Sequence, residues 1–311
     1  MNERPDQSPL TSPRSERVKK VAALAGRSAR RKQGRFRIEG PQSVRSLLTH
    51  RPELAHEVFL TERAAADHPE LVELARAAAV PVRTVDEQIL RALVREPAVT
   101  GSAGERADGT SRGVTSSQEA ASSQGALVSP QGVVAVGALP AEDSSAAADA
   151  VNGLPADGPV TVVVLHEVRD PGNVGTLIRT ADAAGADLVV LTRTSADPYS
   201  PKAVRAAVGS LFHLPVLTGA AVEDVLAQLA ATSITAAATS GYADSELFTV
   251  ELPARIAWIL GNEARGLDEA TLAAAPLTVR IPLAGHAESL NVHTAATVCL
   301  FETLRRRQAG A

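Results

Sequence analysis

The sequence predicts an α/β protein built from two domains. Three observations carry this expectation. The chain has 311 residues, more than one hydrophobic core ordinarily serves. Strand-like and helix-like stretches alternate along it. In its second half the strands are apolar without interruption, the pattern of a parallel sheet covered by helices on both faces.

The N-terminal segment stands apart by charge. Residues 1–37 hold 11 Lys and Arg against 3 Asp and Glu, leaving 20 against 32 for the rest of the chain. The stretch RVKKVAALAGRSARRKQGRFR (17–37) either neutralises RNA phosphates through counterion release or is a solvated, frayed terminal helix. Residues 1–33 are therefore expected as a basic, flexible arm. FRIEG (36–40) reads as a short strand and turn, and PQSVRSLLTH (41–50) as a helix. EVFL (57–60) is a strand, HPELVELARAAA (68–79) an amphipathic helix, VPVRTV (80–85) a strand, and DEQILRALV (86–94) a helix opened by an Asp cap. Residues 100–125, rich in Gly, Ser, Thr and Ala without apolar period, form an expected disordered insertion before the strand QGVVAVGAL (131–139). Residues 140–158 are expected as a linker, because they carry no continuous apolar face. The first domain thus spans 34–139 and the second 159–311.

The second domain alternates regularly. Its strands are VTVVVLHEV (160–168), DLVVLT (187–192), HLPVL (213–217), ITAAAT (234–239), RIAWIL (255–260) and LTVRI (277–281). Between them lie helices in NVGTLIRTADAAG (173–185), SPKAVRAAVG (200–209), VEDVLAQLAA (222–231) and DEATLAAA (268–275), and an apolar helix ending LRRRQ closes the chain. No apolar run approaches the roughly 18 residues that a membrane span requires. The N-terminus lacks the apolar core of a secretory signal, so the cytoplasm is the expected compartment and no membrane partner is expected. A single cysteine, Cys299, excludes internal disulfides and Cys-based metal cages; at an apolar helix position it reads as core.

Three loops follow strands, where ligands gather in open α/β sheets. In the first, HEVRDPGNVGTLIR (166–179), Pro171-Gly172 turns the chain and Asn173 can cap a helix carrying Arg179. In the second, WILGNEARGL (258–267), glycines permit close approach of a flat ligand to the backbone, and Asn262 and Glu263 offer polar groups. In the third, IPLAGHAESLNV (281–292), Pro282, Gly285, Glu288, Ser289 and Asn291 crowd before an apolar helix; Ser289 would serve as an ordinary N-cap. Neither GxGxxG after a strand nor a P-loop is present. His166 and His213 flank strands and read as structural, whereas His286 and His293 lie nearer the third loop and could touch substrate. No ligand constellation suggests a metal.

Together, Asn-x-Gly-x-x-x-Arg (173–179), Gly-Asn-Glu-x-x-Gly-Leu (261–267) and Ile-Pro-Leu-x-Gly-x-x-Glu-Ser-Leu-Asn-Val (281–292) resemble the three motifs of the SpoU (TrmH-type) RNA 2'-O-ribose methyltransferases of the SPOUT superfamily. The resemblance is close over 160–308 and includes SPKAVRAAVGSLFHLPV (200–216). More weakly, GRFRIEGPQSVRSLL (34–48) through QGVVAV resembles the small, ribosomal-protein-like substrate-binding domain of rRNA-directed members. Two features depart from the pattern: His293 stands where a small residue commonly follows Asn-Val, and the 100–125 insertion is extra.

The resemblance implies a C-terminal domain with an α/β trefoil knot, an exception to ordinary unknotted topology. It implies S-adenosyl-L-methionine as methyl donor, with Gly261, Ile281 and Leu290 as main-chain contacts and Asn262, Gly266, Pro282 and Thr239 beside them. Arg179 matches the catalytic arginine, with Asn173, Glu263, Ser289 and Asn291 completing the polar surroundings. It further implies a homodimer acting on RNA, foremost a guanosine ribose of 23S rRNA. A tRNA ribose methyltransferase and an RNA-binding protein of this fold without turnover are the alternatives. A small-molecule O-methyltransferase would need neither the basic arm nor the first domain.

Overall fold

The computed structural model describes residues 10, 12–96, 131–140 and 146–309. The insertion expected over 100–125 lies outside the described residues, as do residues 1–9 of the arm and 141–145 of the linker.

The first unit comprises α1 (Glu16–Ala23), α2 (Arg27–Gln33), β1 (Arg35–Glu39), α3 (Pro41–His50), β2 (Ala55–Leu60), α4 (Glu62–Asp67), α5 (Pro69–Ala77), β3 (Val82–Thr84), α6 (Glu87–Leu93) and β4 (Val133–Ala138). Its strands lie in the order β1-β4-β2-β3, with β4 antiparallel to both neighbours and β3 parallel to β2. The expected Asp cap forms, Asp86 Oδ1 accepting from Ile89 N–H at 2.6 Å. Helix α4 escapes the apolar pattern but carries a comparable signal, Thr61 Oγ1 accepting from Ala64 N–H at 3.1 Å.

Residues 16–33 are helical and docked, which corrects the expectation of a flexible arm. Val18, Val21 and Leu24 are buried against Phe59, Leu90 and Val136. Arg30 is buried too. Its guanidinium donates to the carbonyls of Leu24 and Ala25, both at 2.8 Å, and meets Asp197 Oδ2 at 2.6 Å. The charges crowded around this apolar stripe hide it when composition alone is read.

The second unit contains α7 (Ala146–Asn152), β5 (Val160–Leu165), α8 (Pro171–Ala183), β6 (Leu188–Thr192), α9 (Pro201–Ala207), β7 (Val216–Ala220), α10 (Val222–Ala231), β8 (Thr235–Thr239), β9 (Ser245–Glu246), β10 (Arg255–Leu260), α11 (Glu269–Ala274), β11 (Leu277–Arg280) and α12 (Val292–Ala309). The strand order is β7-β6-β5-β10-β8-β11-β9, and every pairing is parallel. All residues of β5 are buried, as uninterrupted apolar strands require. The chain moves outward from β5 through β6 to β7, then returns to build the other half. The crevice between β5 and β10 is therefore the topological switch point, where ligands gather.

Two expectations shift. Within the supposed linker, α7 buries Ala147 and Val151 against Val162, Val164 and Leu229. The strand expected at 213–217 starts only at Val216, because residues 210–212 form a short 3-10 turn and Pro215 lacks an N–H to donate to a ladder.

Residues 199–213 form the seam between the units. Phe36 of β1 meets Tyr199 edge-on with centroids 5.0 Å apart and stacks on Phe212 at 6.3 Å. Arg205 pairs with Glu39 at 3.2 Å, and His213 Nε2 shares a hydrogen bond with Ser46 Oγ at 3.1 Å. Gly209, at φ +94°, admits α3 so closely that a Cβ would lie 2.3 Å from Ser46 Oγ.

Arg30→Ala leaves the half-buried Asp197 carboxylate without its cation and removes the donor of two carbonyls. It is expected to cost about 3–5 kcal/mol, read as a lowered urea midpoint. A loss no larger than the roughly 1 kcal/mol of a surface pair would mean that α2 is not held by this contact.

Candidate active site

Because the strands are parallel, the loops following β5, β10, β8 and β11 leave the sheet at one edge. The loops after β5 and β10 flank the switch point and are bonded to each other. Glu263 is the junction: its carboxylate accepts from Arg169 N–H at 3.1 Å, Asp170 N–H at 3.0 Å and the Asn173 side-chain amide at 3.1 Å. Partial burial pushes this carboxyl up, but the combined donation outweighs burial and holds it below the usual carboxylate range. Glu263 therefore stays anionic at neutral pH, and it orients Asn173.

Asn173 does not cap α8. Asp170 does, its Oδ1 accepting from Asn173 N–H at 2.9 Å, with Pro171 in the first turn. Asp-Pro is itself a helix-start signal that locates this cap in the sequence. Lys202 Nζ, 2.6 Å from Asp170 Oδ2, holds that carboxyl below its ordinary range.

The second loop is shaped by its own motif. A Cβ on Gly261 would lie 2.4–2.6 Å from the backbone of Gly266 and Leu267, so only glycine fits. Asn262 and Gly266 exchange backbone hydrogen bonds, both 2.9 Å, and Gly266 takes φ +68°. Asn262 Oδ1 accepts from Ala264 N–H and Arg265 N–H, while its amide donates to the Glu167 carbonyl at 3.0 Å. Its side chain is thus committed to the loop. Glu167, which the sequence reading passed over, braces the same loop by pairing with Arg265 at 2.9 Å.

The third loop has the opposite character. Ile281 and Leu290 are half-buried, whereas Pro282 through Ser289 are exposed. Among the described residues, no hydrogen bond within the chain engages a peptide group of 282–290. Ser289 caps nothing. Asn291 takes that place, its Oδ1 accepting from His293 N–H at 2.8 Å. Thr239, at the end of β8, donates to the Ile259 carbonyl at 3.2 Å, two residues before Gly261.

Arg179 stands apart from this cluster, exposed on α8, its guanidinium without a hydrogen bond or ion pair among the described residues. Its neighbour Thr180 is bonded to His293 Nε2 at 2.9 Å, tying α12 to α8. Burial pushes the His293 imidazole down, so the residue that departs from the family pattern is a neutral interhelical contact. His166 is buried between Thr192 and Asp268, at 3.3 and 3.2 Å, as a structural histidine. His286 is exposed. The described residues contain no group of three or more His, Cys, Asp or Glu able to hold a metal ion.

Comparison with known proteins follows the two-unit layout. The model of the SpoU rRNA Methylase family matches residues 160–301, and that for RNA 2'-O ribose methyltransferase substrate binding matches 37–98. A 23S rRNA (guanosine-2'-O-)-methyltransferase RlmB of Bordetella pertussis is 32% identical over 272 residues, covering 87% of this chain and 97% of that protein. The 23S rRNA (uridine(2479)-2'-O)-methyltransferase of Streptomyces viridochromogenes is 37% identical over 186 residues, 58% of this chain and 62% of its own length. Among solved structures, the AdoMet-bound rRNA methyltransferase of Sinorhizobium meliloti superposes with a TM-score of 0.73 at 26% identity, covering 96% of this chain and 98% of that one. The SpoU methyltransferase AviRb of Streptomyces viridochromogenes in complex with AdoMet gives 0.71 at 27%, covering 96% and 100%.

Glu263→Gln keeps the volume but loses the charge and one acceptor oxygen. Discounted for exposure, the expected loss at pH 7 is about 1 kcal/mol. Because the folded carboxyl lies below its ordinary value of 4.5, its contribution is complete above that value and fades as pH falls through the lower, folded one. Urea titrations of both proteins should show the gap closing on acidification below pH 4.5; a gap independent of pH would assign it to packing.

Proposed function

The chain belongs to the SpoU rRNA methylase family, and from that membership we propose that it methylates the ribose 2'-hydroxyl of a guanosine in 23S rRNA. It is an RNA (ribose-2'-O)-methyltransferase, and its methyl donor is S-adenosyl-L-methionine. The choice of guanosine follows the relative matched over nearly its whole length; the relative named for uridine is matched over less than two thirds of its own.

One observation carries the placement of the site. The peptide groups of 282–290, unengaged among the described residues, follow β11 on the same sheet edge as the second loop, where only glycine fits at 261, with β8 between the two strands. Free N–H and C=O groups on a fixed loop suit a ligand with a flat base, a ribose and an amino-acid tail, and Gly261, Ile281 and Leu290 offer the main-chain contacts. Asn262 and Gly266 act by shaping the loop, and Pro282 and Thr239 by bounding it.

The donor supplies a methyl group on a sulfonium. The ribose oxygen would bond to that methyl as the methyl–sulfur bond breaks and leaves a neutral thioether, its proton passing to solvent water, and charge would build on oxygen before the new bond is complete. The guanidinium cation of Arg179 holds a neighbouring phosphate and stabilises that charge. Asn173, fixed by Glu263, presents a polar group at the start of the same helix. Ser289 and the Asn291 amide face the reaction from the third loop.

The finer reading comprises residues 34–139 as the RNA-binding unit, 159–311 as the catalytic one with a knotted C-terminal segment, and a cytoplasmic homodimer. Exposed apolar side chains support pairing: Leu283 in the third loop, Phe301 on α12 and Phe248 are 40%, 42% and 53% exposed. In a dimer the isolated Arg179 of one protomer would serve the loops of the other.

Incubation with labelled S-adenosylmethionine and total rRNA, followed by mapping of the methylated ribose, tests the function directly. Label absent from rRNA would refute it. Arg179→Ala is expected to slow single-turnover transfer by about 10²–10³-fold with donor affinity unchanged by calorimetry. Normal turnover would remove Arg179 from the chemistry. Leu290→Pro deletes an N–H that bonds nothing among the described residues, so a fall in donor affinity would report a ligand contact. Unchanged affinity would place the donor elsewhere.

A further inference from the structure

A cavity of about 300 Å³ lies away from the three loops, between α2 and the ends of β6 and β7. Its lining includes four arginines and one carboxylate: Arg27, Arg30 and Arg31 from α2, Arg193 just after β6, and Asp197. Arg30 and Asp197 neutralise each other within its wall, at 2.6 Å, so the carboxylate does not repel an anion. The other three arginines are exposed at the mouth. The Arg193 backbone N–H donates to the Ala220 carbonyl at 3.0 Å, and its guanidinium has no hydrogen bond or ion pair among the described residues. The one aromatic ring in the wall, Tyr199, is buried edge-on against Phe36 and offers no free face for a base.

We propose that this cavity is a second RNA contact of the enzyme, a site for the sugar–phosphate backbone a few nucleotides from the ribose that is methylated. The inference rests on the function proposed above for its ligand, and on the cavity itself for its chemistry. Clustered guanidinium groups that offer no stacking surface suit the oxygens of phosphodiesters. The strands place the cavity on the reacting edge. It opens at the carboxyl ends of β6 and β7, and the crevice between β5 and β10 lies about two strand spacings away, roughly 10 Å. One strand of RNA can therefore occupy both. The docking of α1 and α2 acquires a use, since it fixes basic residues that a flexible arm would present only transiently.

The test uses the full chain. RNA affinity is measured between 50 and 200 mM salt for the wild type, Arg193→Ala, Arg31→Ala, their combination, Arg31→Lys, and Arg63→Ala as an exposed control on α4. Each lost phosphate contact should flatten the slope of log affinity against log salt by about 0.7–0.9, a threefold smaller change over that range. Arg31→Lys keeps the charge and should keep most of the slope. Donor affinity and the single-turnover rate at saturating RNA should match the wild type, and the loss should be uniform across RNA sequences. An unchanged slope in the double variant, equal flattening by Arg63→Ala, or a loss confined to one sequence overturns the proposal. A wild-type protein that methylates no rRNA would instead overturn the function, while the slopes still decide the cavity.

Discussion

Seven strands running in one direction decide where chemistry can occur in this molecule. Parallel pairing sends each return connection across a face of the sheet and leaves the strand-to-helix loops along a single edge. The motifs at 173–179, 261–267 and 281–292 lie far apart in sequence yet share that edge. The central strand β10 secures the arrangement from within: fully buried Trp258 donates Nε1–H to Thr303 of α12 at 3.0 Å, fixing the helix that ends the third loop.

Within this frame the side chains divide by task. Asn262 and Glu263 read in sequence as ligand groups, but in the fold they spend their hydrogen bonds on holding two loops together. What they leave is backbone: a tight glycine turn and, on the same sheet edge, a third loop whose peptide groups are unengaged among the described residues. A site of this kind recognises its ligand through main-chain geometry, and its polar signature residues are the scaffold for that geometry. Arg179 is the exception, a charge held at the surface by a helix and by no side-chain partner among the described residues.

The periodic features were legible in the sequence. Uninterrupted apolar strands such as VTVVVL and the loops that follow them announced the parallel sheet and the edge along which those loops gather. Local competition was harder to read. Asp170 and Asn173 are both good caps, and Pro171 settles the choice only when its fixed φ is considered. Ser289 and Asn291 competed in the same way at the last helix. The N-terminal helices were obscured because Val18, Val21 and Leu24 sit among lysines and arginines, and because Arg30 finds its partner 167 residues away. Two-residue β9 has no pattern to detect, and its pairing with β11 exists only in three dimensions.

That long separation has a consequence for how the chain is made. Translation at about 5–20 residues per second puts roughly 8–33 s between the emergence of Arg30 and that of Asp197. Throughout this interval the most basic stretch of the protein trails from the exit tunnel without the clamp that later seats it. The surface nearest to it is the ribosome, itself largely RNA. The apolar stripe of α1 has its partners once Val136 has emerged, whereas the Arg30 guanidinium waits for Asp197 before a carboxylate neutralises it.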